Sequence, residues 1–198
     1  MKLILLTDDS YYPRTHWALD QMLSQPEFKA MQWTSLQPNV FFHFVLAPAA
    51  QFIQKHRHGK DPGRLGLMLS KDAPVGVIDP WDVGVFAAHL LAQTDTKPHD
   101  QKRYVLNGPE DITGQQVVEM VEARINVKVT NVEFKDVSAI NQWADATTTG
   151  SKNVIRSIVH APVTGWTGEC KASTNSKEFL ELVPPPGTAE KVLDALLQ

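Results

Sequence analysis

The sequence predicts an α/β protein: a mainly parallel sheet with helices on its faces. Three observations carry this. Segments that read as strands at residues 3–6, 31–36, 75–78, 102–106 and 127–134 alternate with segments whose apolar residues recur at helical spacing. The first run, Leu3 to Leu6, is continuous, as in a strand covered on both faces. Helix-start chemistry follows the runs directly, at Asp79-Pro80 and again at Thr113 with Gln116 three residues on.

Taken in order, the strand at 3–6 leads through a polar loop to a helix opening near Pro13 and carrying Trp17, Leu19, Met22 and Leu23. The strand at 31–36 is stopped by Pro38. An apolar helical run follows through Phe44, Val45 and Phe52, and Pro48 is expected to kink or break it. Residues 59–66, Gly-Lys-Asp-Pro-Gly-Arg-Leu-Gly, read as a surface loop: they follow His56-Arg57-His58 rather than a strand, and Pro62 suits a turn. The strand at 75–78 runs into a helix capped by Asp79, with Asp82 in its first turn and Val83, Phe86, Ala87, Leu90 and Leu91 on its apolar side.

A polar linker, residues 93–101, precedes the strand at 102–106, which ends in Asn107-Gly108-Pro109 turn chemistry. The capping box at Thr113 opens a helix that buries Val117, Val118, Met120, Val121 and Ile125. Beyond it come a strand at 127–134, a helix at 136–143 capped by Asp136, a loop from Ala146, a short helix at 154–160, and two terminal helices split by Pro184-Pro-Pro-Gly187.

A chain of 198 residues with 42% hydrophobic content suits one domain with one core. A net charge of −3 gives no electrostatic footprint for nucleic acid or an anionic membrane. The single cysteine, Cys170, rules out an internal disulfide framework, fits a reducing compartment, and has no nearby histidine to activate it. The apolar start stops at Asp8-Asp9, and no stretch approaches the roughly 20 apolar residues of a membrane span. A soluble cytoplasmic protein is the expectation. His56 and His58 lack acidic or cysteine partners at ligand spacing, so no metal is expected.

Two phrases, Val77-Ile-Asp-Pro-Trp-Asp-Val-Gly84 and Tyr104-Val-Leu-Asn-Gly-Pro-Glu-Asp-Ile-Thr113, occur in the order and at the distance found in one family. The chain resembles the later portion of the NmrA-like, atypical short-chain dehydrogenase/reductase family. The resemblance implies an incomplete Rossmann-like domain over residues 1–198, with a sheet remainder at 1–106 and a substrate-side region at 107–198. It also implies that the loop after the first strand stands where relatives carry a catalytic serine and a Tyr-x-x-x-Lys pair. On that basis Ser10, Tyr12 and His16 are the catalytic candidates.

In this chain His16-x-x-x-Asp20 occupies the position of the pair. A carboxylate there cannot lower a phenol pKa as the lysine does. For His16 two readings stand: proton donor or cofactor contact, and a helix-face histidine touching water. By the same resemblance Thr7 and the phrase Pro38-Asn39-Val40-Phe41 face the cofactor, although Gln37 and Asn39 replace the arginine and glycine usual there. Phe41, Phe42 and Phe44 serve either as a substrate wall or as core filling.

The implied cofactor is NAD(P), bound weakly or not at all, because none of residues 7–20 is glycine and the glycine-rich turn that lets a backbone approach pyrophosphate has no counterpart. A truncated gene model, a degenerate fragment, or a partner subunit covering the open sheet edge would each account for that. Two functions remain open: an NAD(P)-dependent oxidoreductase reducing a small carbonyl or conjugated substrate, and a non-catalytic NAD(P)-sensing regulatory protein. An interaction module without ligand is a third.

Overall fold

The computed structural model describes residues 11–198. The expected strand at 3–6, with Thr7 and Ser10, lies outside the described residues. Helix α1 (Tyr11–Leu23) is followed by β1 (Thr34–Pro38), α2 (Phe42–Arg57), β2 (Leu65–Leu67), α3 (Pro80–Leu91) and β3 (Lys102–Leu106). Then come α4 (Gly114–Ile125), β4 (Val132–Phe134), α5 (Ser138–Ala146), α6 (Lys152–Ser157), α7 (Val163–Trp166), α8 (Lys177–Leu182) and α9 (Ala189–Leu196).

Both strand pairs among the described residues are parallel. β1 lies beside β3 in the register Thr34↔Lys102 to Pro38↔Leu106, and β2 beside β4 from Leu65↔Val132 to Leu67↔Phe134. The fold is α/β, with short parallel sheets flanked by helices.

Register explains why β1 starts three residues later than the apolar run does. The Trp33 amide donates to Asp100 and its carbonyl accepts from Gln101, so ladder pairing begins only at Thr34, opposite the first residue of β3. Pro38 is the last residue of β1, where a missing amide interrupts nothing.

Residues 75–78 do not form the expected strand. The Val77 amide donates to the Val75 carbonyl, a tight turn about Gly76 that bends the segment. What remains are two single bridges, Val75 antiparallel to Ile112 and Ile78 parallel to Phe41. Pro48 does not break α2. The Phe44 carbonyl that loses its partner belongs to an exposed residue, while Leu46, Ala49 and Ala50 pin the helix to the core.

Three further boundaries move. The run at 127–134 is a strand only over β4, because Asn126 ends α4 in the left-handed conformation and Glu122 then holds the Val129 amide in a loop. Asp136 does accept from the Ser138 amide, and α5 extends from there to Ala146. The helix expected at 154–160 is α6 followed by a 3-10 turn, Ile158–His160.

The expected loop at 59–66 ends in strand β2. Gly59 and Gly63 turn at positive φ in open space, whereas a Cβ at Gly66 would stand 2.1 Å from the Asp136 carboxylate. Arg64 pairs with Glu133 and Asp136 beside that contact.

Two apolar clusters result. The larger joins α2 through Val45, Leu46 and Ile53 to β2, to α4 and to Leu193 of α9. Arg124 reinforces it at the surface, bridging to Glu190 and Asp194 at 2.5 and 2.7 Å. The smaller lies on one face of β1 and β3. There Phe86 of α3 meets Tyr104 and Phe179 edge-on, at 5.4 and 5.0 Å between ring centroids. The caps predicted for α3 and α4 are present: Asp79 accepts from the Trp81 amide, and Thr113 and Gln116 form the reciprocal box.

Asp82 is the exception within this second layer. It is buried under Gly187, and desolvation, with a smaller contribution from the Asp79 charge, raises its pKa against the opposing pull of the Gly187 backbone amide, which lies too far or too oblique to make a full hydrogen bond to Oδ2. A carboxyl that holds its proton more tightly in the folded chain contributes stability below its unfolded pKa. That contribution is lost as pH rises through the folded value. Asp82→Asn is therefore expected to raise Tm at pH 7 and to leave it unchanged near pH 3. Thermal melts at the two pH values check this, and equal effects at both would contradict it.

Candidate functional site

In open parallel sheets, ligands bind beyond the carboxyl ends of the strands. Here β1 and β3 both end at one such edge, and the chain leaving β1 is Asn39, Val40 and Phe41. These three residues are half-buried and Pro38 is exposed. The Asn39 amide donates to the Leu106 carbonyl, so the β1–β3 ladder continues one step past the strand.

The Asn39 side chain then ties the edge together. Its Nδ2 donates to Asn107 Oδ1 at 2.8 Å and to the Cys170 carbonyl at 3.1 Å, while its Oδ1 accepts from the Val40 amide. Asn107 is buried. Its Nδ2 donates to Thr174 Oγ1 and its amide to Asn175 Oδ1. Asn175 closes the loop by donating to the Asn107 carbonyl.

Two glycines let the backbones approach this closely. A Cβ at Gly108 would stand 2.0 Å from the Val77 carbonyl, and one at Gly76 would stand 2.7 Å from the Ala172 amide. Sequence reasoning read Asn107 only as turn chemistry and did not mark Asn175 or Thr174. The signal available was an asparagine at the end of each paired strand.

Helix α1 brings the catalytic candidates. Asp20 accepts from Ser35 Oγ at 2.8 Å, Gln37 Nε2 at 2.6 Å and Arg103 Nε at 3.2 Å, and Arg103 also donates to Ser24 Oγ. Ser24 thus lies at the start of β3, and Asp20 reaches toward the end of β1. The first turn of α1 lies at the other end of the helix from Ser24. Tyr12 and His16 occupy that end of the helix, exposed, with ring centroids 4.6 Å apart. The Tyr12 amide donates to the buried Ser157 Oγ at 2.9 Å, which anchors the turn to α6.

Among the described residues no hydrogen bond or ring contact joins Tyr12 or His16 to the 38–41 loop. Asp20 is spent on docking α1. The three aromatics after β1 divide. Phe42 is fully buried in the core and Phe41 packs half-buried against Ile78 and its neighbours, whereas Phe44 is 56% exposed and stacks on His43.

For a dinucleotide, the described residues fit the ring end better than the phosphate end. The loop after β1 offers backbone and the aromatic pair His43 and Phe44. The amides of Asn39 and Val40 are already used internally, and no glycine-rich turn joins a strand to a helix among the described residues. No group of three or more His, Cys, Asp or Glu able to hold a metal occurs among them either. The Cys170 thiol, half-buried, has its pKa raised chiefly by burial, the opposite of an activated thiolate.

Sequence profiles of known families match no part of the chain, and no curated protein matches it. Solved structures do match in shape. The NADPH-dependent quinone oxidoreductase of Escherichia coli complexed with NADPH is similar with a TM-score of 0.65 at 15% identity, over 93% of this chain and 59% of that one. A second structure of the Escherichia coli enzyme gives 0.55 at 14%, covering 84% and 53%. A nucleoside-diphosphate-sugar epimerase of Staphylococcus aureus gives 0.59 at 16%, covering 91% and 57%. The chain thus spans less than two-thirds of each, and what it shares with them is the Rossmann-like fold.

Asn107→Ala removes the side-chain bonds to Asn39 and Thr174 from a buried position and leaves the half-buried Asn39 amide with the Cys170 carbonyl alone. The expected cost is about 2–3 kcal/mol of stability, read by urea denaturation. A change below about 0.5 kcal/mol would show that the amide network does not hold the edge.

Proposed function

We propose that this chain carries the ring-facing and substrate-facing side of an NAD(P)-binding fold of the NmrA-like, atypical short-chain type. Its chemistry would be an oxidoreductase-like reaction on a small carbonyl or conjugated substrate. The observation that supports this best is the tie between the two candidate segments. The Pro38–Phe41 phrase leaves the end of β1, and α1, which carries Tyr12 and His16, is bonded to β1 through Asp20 with Ser35 and Gln37.

In this reading the loop at 38–41 supports the nicotinamide ring by backbone and apolar contact, and the cofactor, when bound, supplies the hydride. His16 is the proton donor and Tyr12 orients it through their ring contact, with Thr7 and Ser10 on the chain leading into α1. A histidine suits that role near neutral pH without a neighbouring lysine.

One observation favours a second reading, a non-catalytic NAD(P)-sensing protein. Asp20 is held by Arg103, Ser35 and Gln37 in a structural role, and four residues after His16 the helix thus carries a carboxylate engaged in docking rather than the lysine that the reductase chemistry uses. Binding without turnover is the outcome that this second reading requires.

Titration of the chain with NADPH and NADH, followed by nicotinamide fluorescence, tests both. Binding with a Kd on the order of 0.1–1 mM is expected, since the described residues offer no phosphate grip. No signal at millimolar cofactor would remove both readings. Where turnover of a quinone or aldehyde is measurable, His16→Ala is expected to lower kcat by about a hundredfold and Tyr12→Phe by less than tenfold. Equal small effects would retire the role given to His16.

A further inference from the structure

Helix α3 is apolar on both sides. Its inner side, Val83, Phe86 and Leu90, packs into the cluster on β1 and β3. Its outer side consists of Trp81, Gly84, Val85, Ala88 and Leu91, all exposed and spaced three and four residues apart, and Ala92 extends the stripe beyond the helix. Trp81 is 76% exposed and Leu91 85%, values unusual for large apolar side chains in the middle of a folded chain. No charged residue interrupts the stripe: the one acid in the helix, Asp82, is buried, and His89 is half-buried. A helix apolar all round is one that expects cover on every side.

We propose that this outer face is a self-association surface, on which a second copy of the chain lays its own α3 in antiparallel register about a twofold axis. The order of residues along the stripe is what points to a second copy. Reversed about its centre, it places Trp81 against Leu91, and Gly84 against Ala88. The bulkiest residues, Trp81 and Leu91, therefore meet at the two ends, while Gly84 and Ala88 leave room at the crossing for Val85 of each copy. A Cβ built on Gly84 meets nothing within 4 Å, so two backbones can close up at that point. The stripe carries no charge to repel its own image, and antiparallel pairing sets the helix dipoles head to tail.

The area is of the size such a pair needs. Trp81, Val85, Leu91 and the small residues between them offer on the order of 400–500 Å² per copy, at the upper end of apolar patches on monomers. With its rim, a symmetric pair would bury about 1,000 Å² in total, the lower bound for a specific interface. The expected complex is a reversible dimer with a Kd on the order of 1–50 μM. This surface is a helix face, separate from the sheet edge and from the Tyr12 and His16 end of α1.

Sedimentation velocity of the 198-residue chain between about 1 and 200 μM is the test. Concentration-dependent dimerisation is expected in the natural sequence. Val85→Glu and Leu91→Glu, both at exposed positions, are expected to weaken it at least about a hundredfold by placing a charge in the apolar contact. Register is read in a Cys170→Ser background, by oxidising a mixture of differently tagged Trp81→Cys and Leu91→Cys copies. The mixed disulfide should exceed either homodisulfide. A monomer throughout the range would overturn the proposal, as would a dimer indifferent to both glutamates. Preferential pairing of Trp81→Cys with itself would overturn the antiparallel arrangement even if the glutamate variants failed to fold.

Discussion

The hydrogen bond between the side-chain amides of Asn39 and Asn107 is the constraint on which the carboxyl edge of the sheet depends. Each asparagine follows the last residue of a paired strand, so the bond extends the β1–β3 ladder from backbone into side chain. From that point the network reaches the carbonyl of Cys170, the hydroxyl of Thr174 and the amide of Asn175. It thereby draws residues 170–175 against the strand ends. An unmade bond in such a place costs more than a made one contributes, which gives a buried amide pair its power to select one arrangement. Gly76 and Gly108 are the geometric condition for it, since side chains there would hold the backbones apart.

The helix that carries the catalytic candidates is held in a different way. α1 has no fully buried residue, and its hold on the strands runs through Asp20, Ser24 and Arg103, with Ser157 fastening its first turn. Polar contacts at a partly exposed surface contribute less than a packed apolar face, so α1 belongs to the less stable part of the molecule. Asp20 thus has a structural task, fastening α1 to β1 and β3 through Ser35, Gln37 and Arg103.

Much of the local structure was legible because its causes are local. The capping box at Thr113, the Asp79-Pro80 helix start and the apolar spacing of α2, α3 and α4 all produced elements where the residues indicated. The departures have one origin: strand boundaries depend on a partner. Residues 31–33 are as apolar as residues 34–36, yet only the latter lie opposite β3. Residues 65–67, taken for the end of a loop, became a strand because residues 132–134 lay alongside. Conversely, residues 75–78 are apolar enough for a strand, but their own turn at Gly76 forbids a continuous ladder.

By itself the sequence determined the alternation of strand and helix, the positions of the caps, and the buried side of α4, since periodicity and capping act over a few residues; Leu91, expected on the covered side of α3, is instead exposed. Only the tertiary structure decided which polar residues would meet. The partners of Asn39 lie 68 and 131 residues away, and Asp20 finds Arg103 across 83. No spacing rule spans such distances. The same holds for the outer face of α3: a stripe of tryptophan, valine and leucine reads as core until the fold shows that nothing in the described residues covers it.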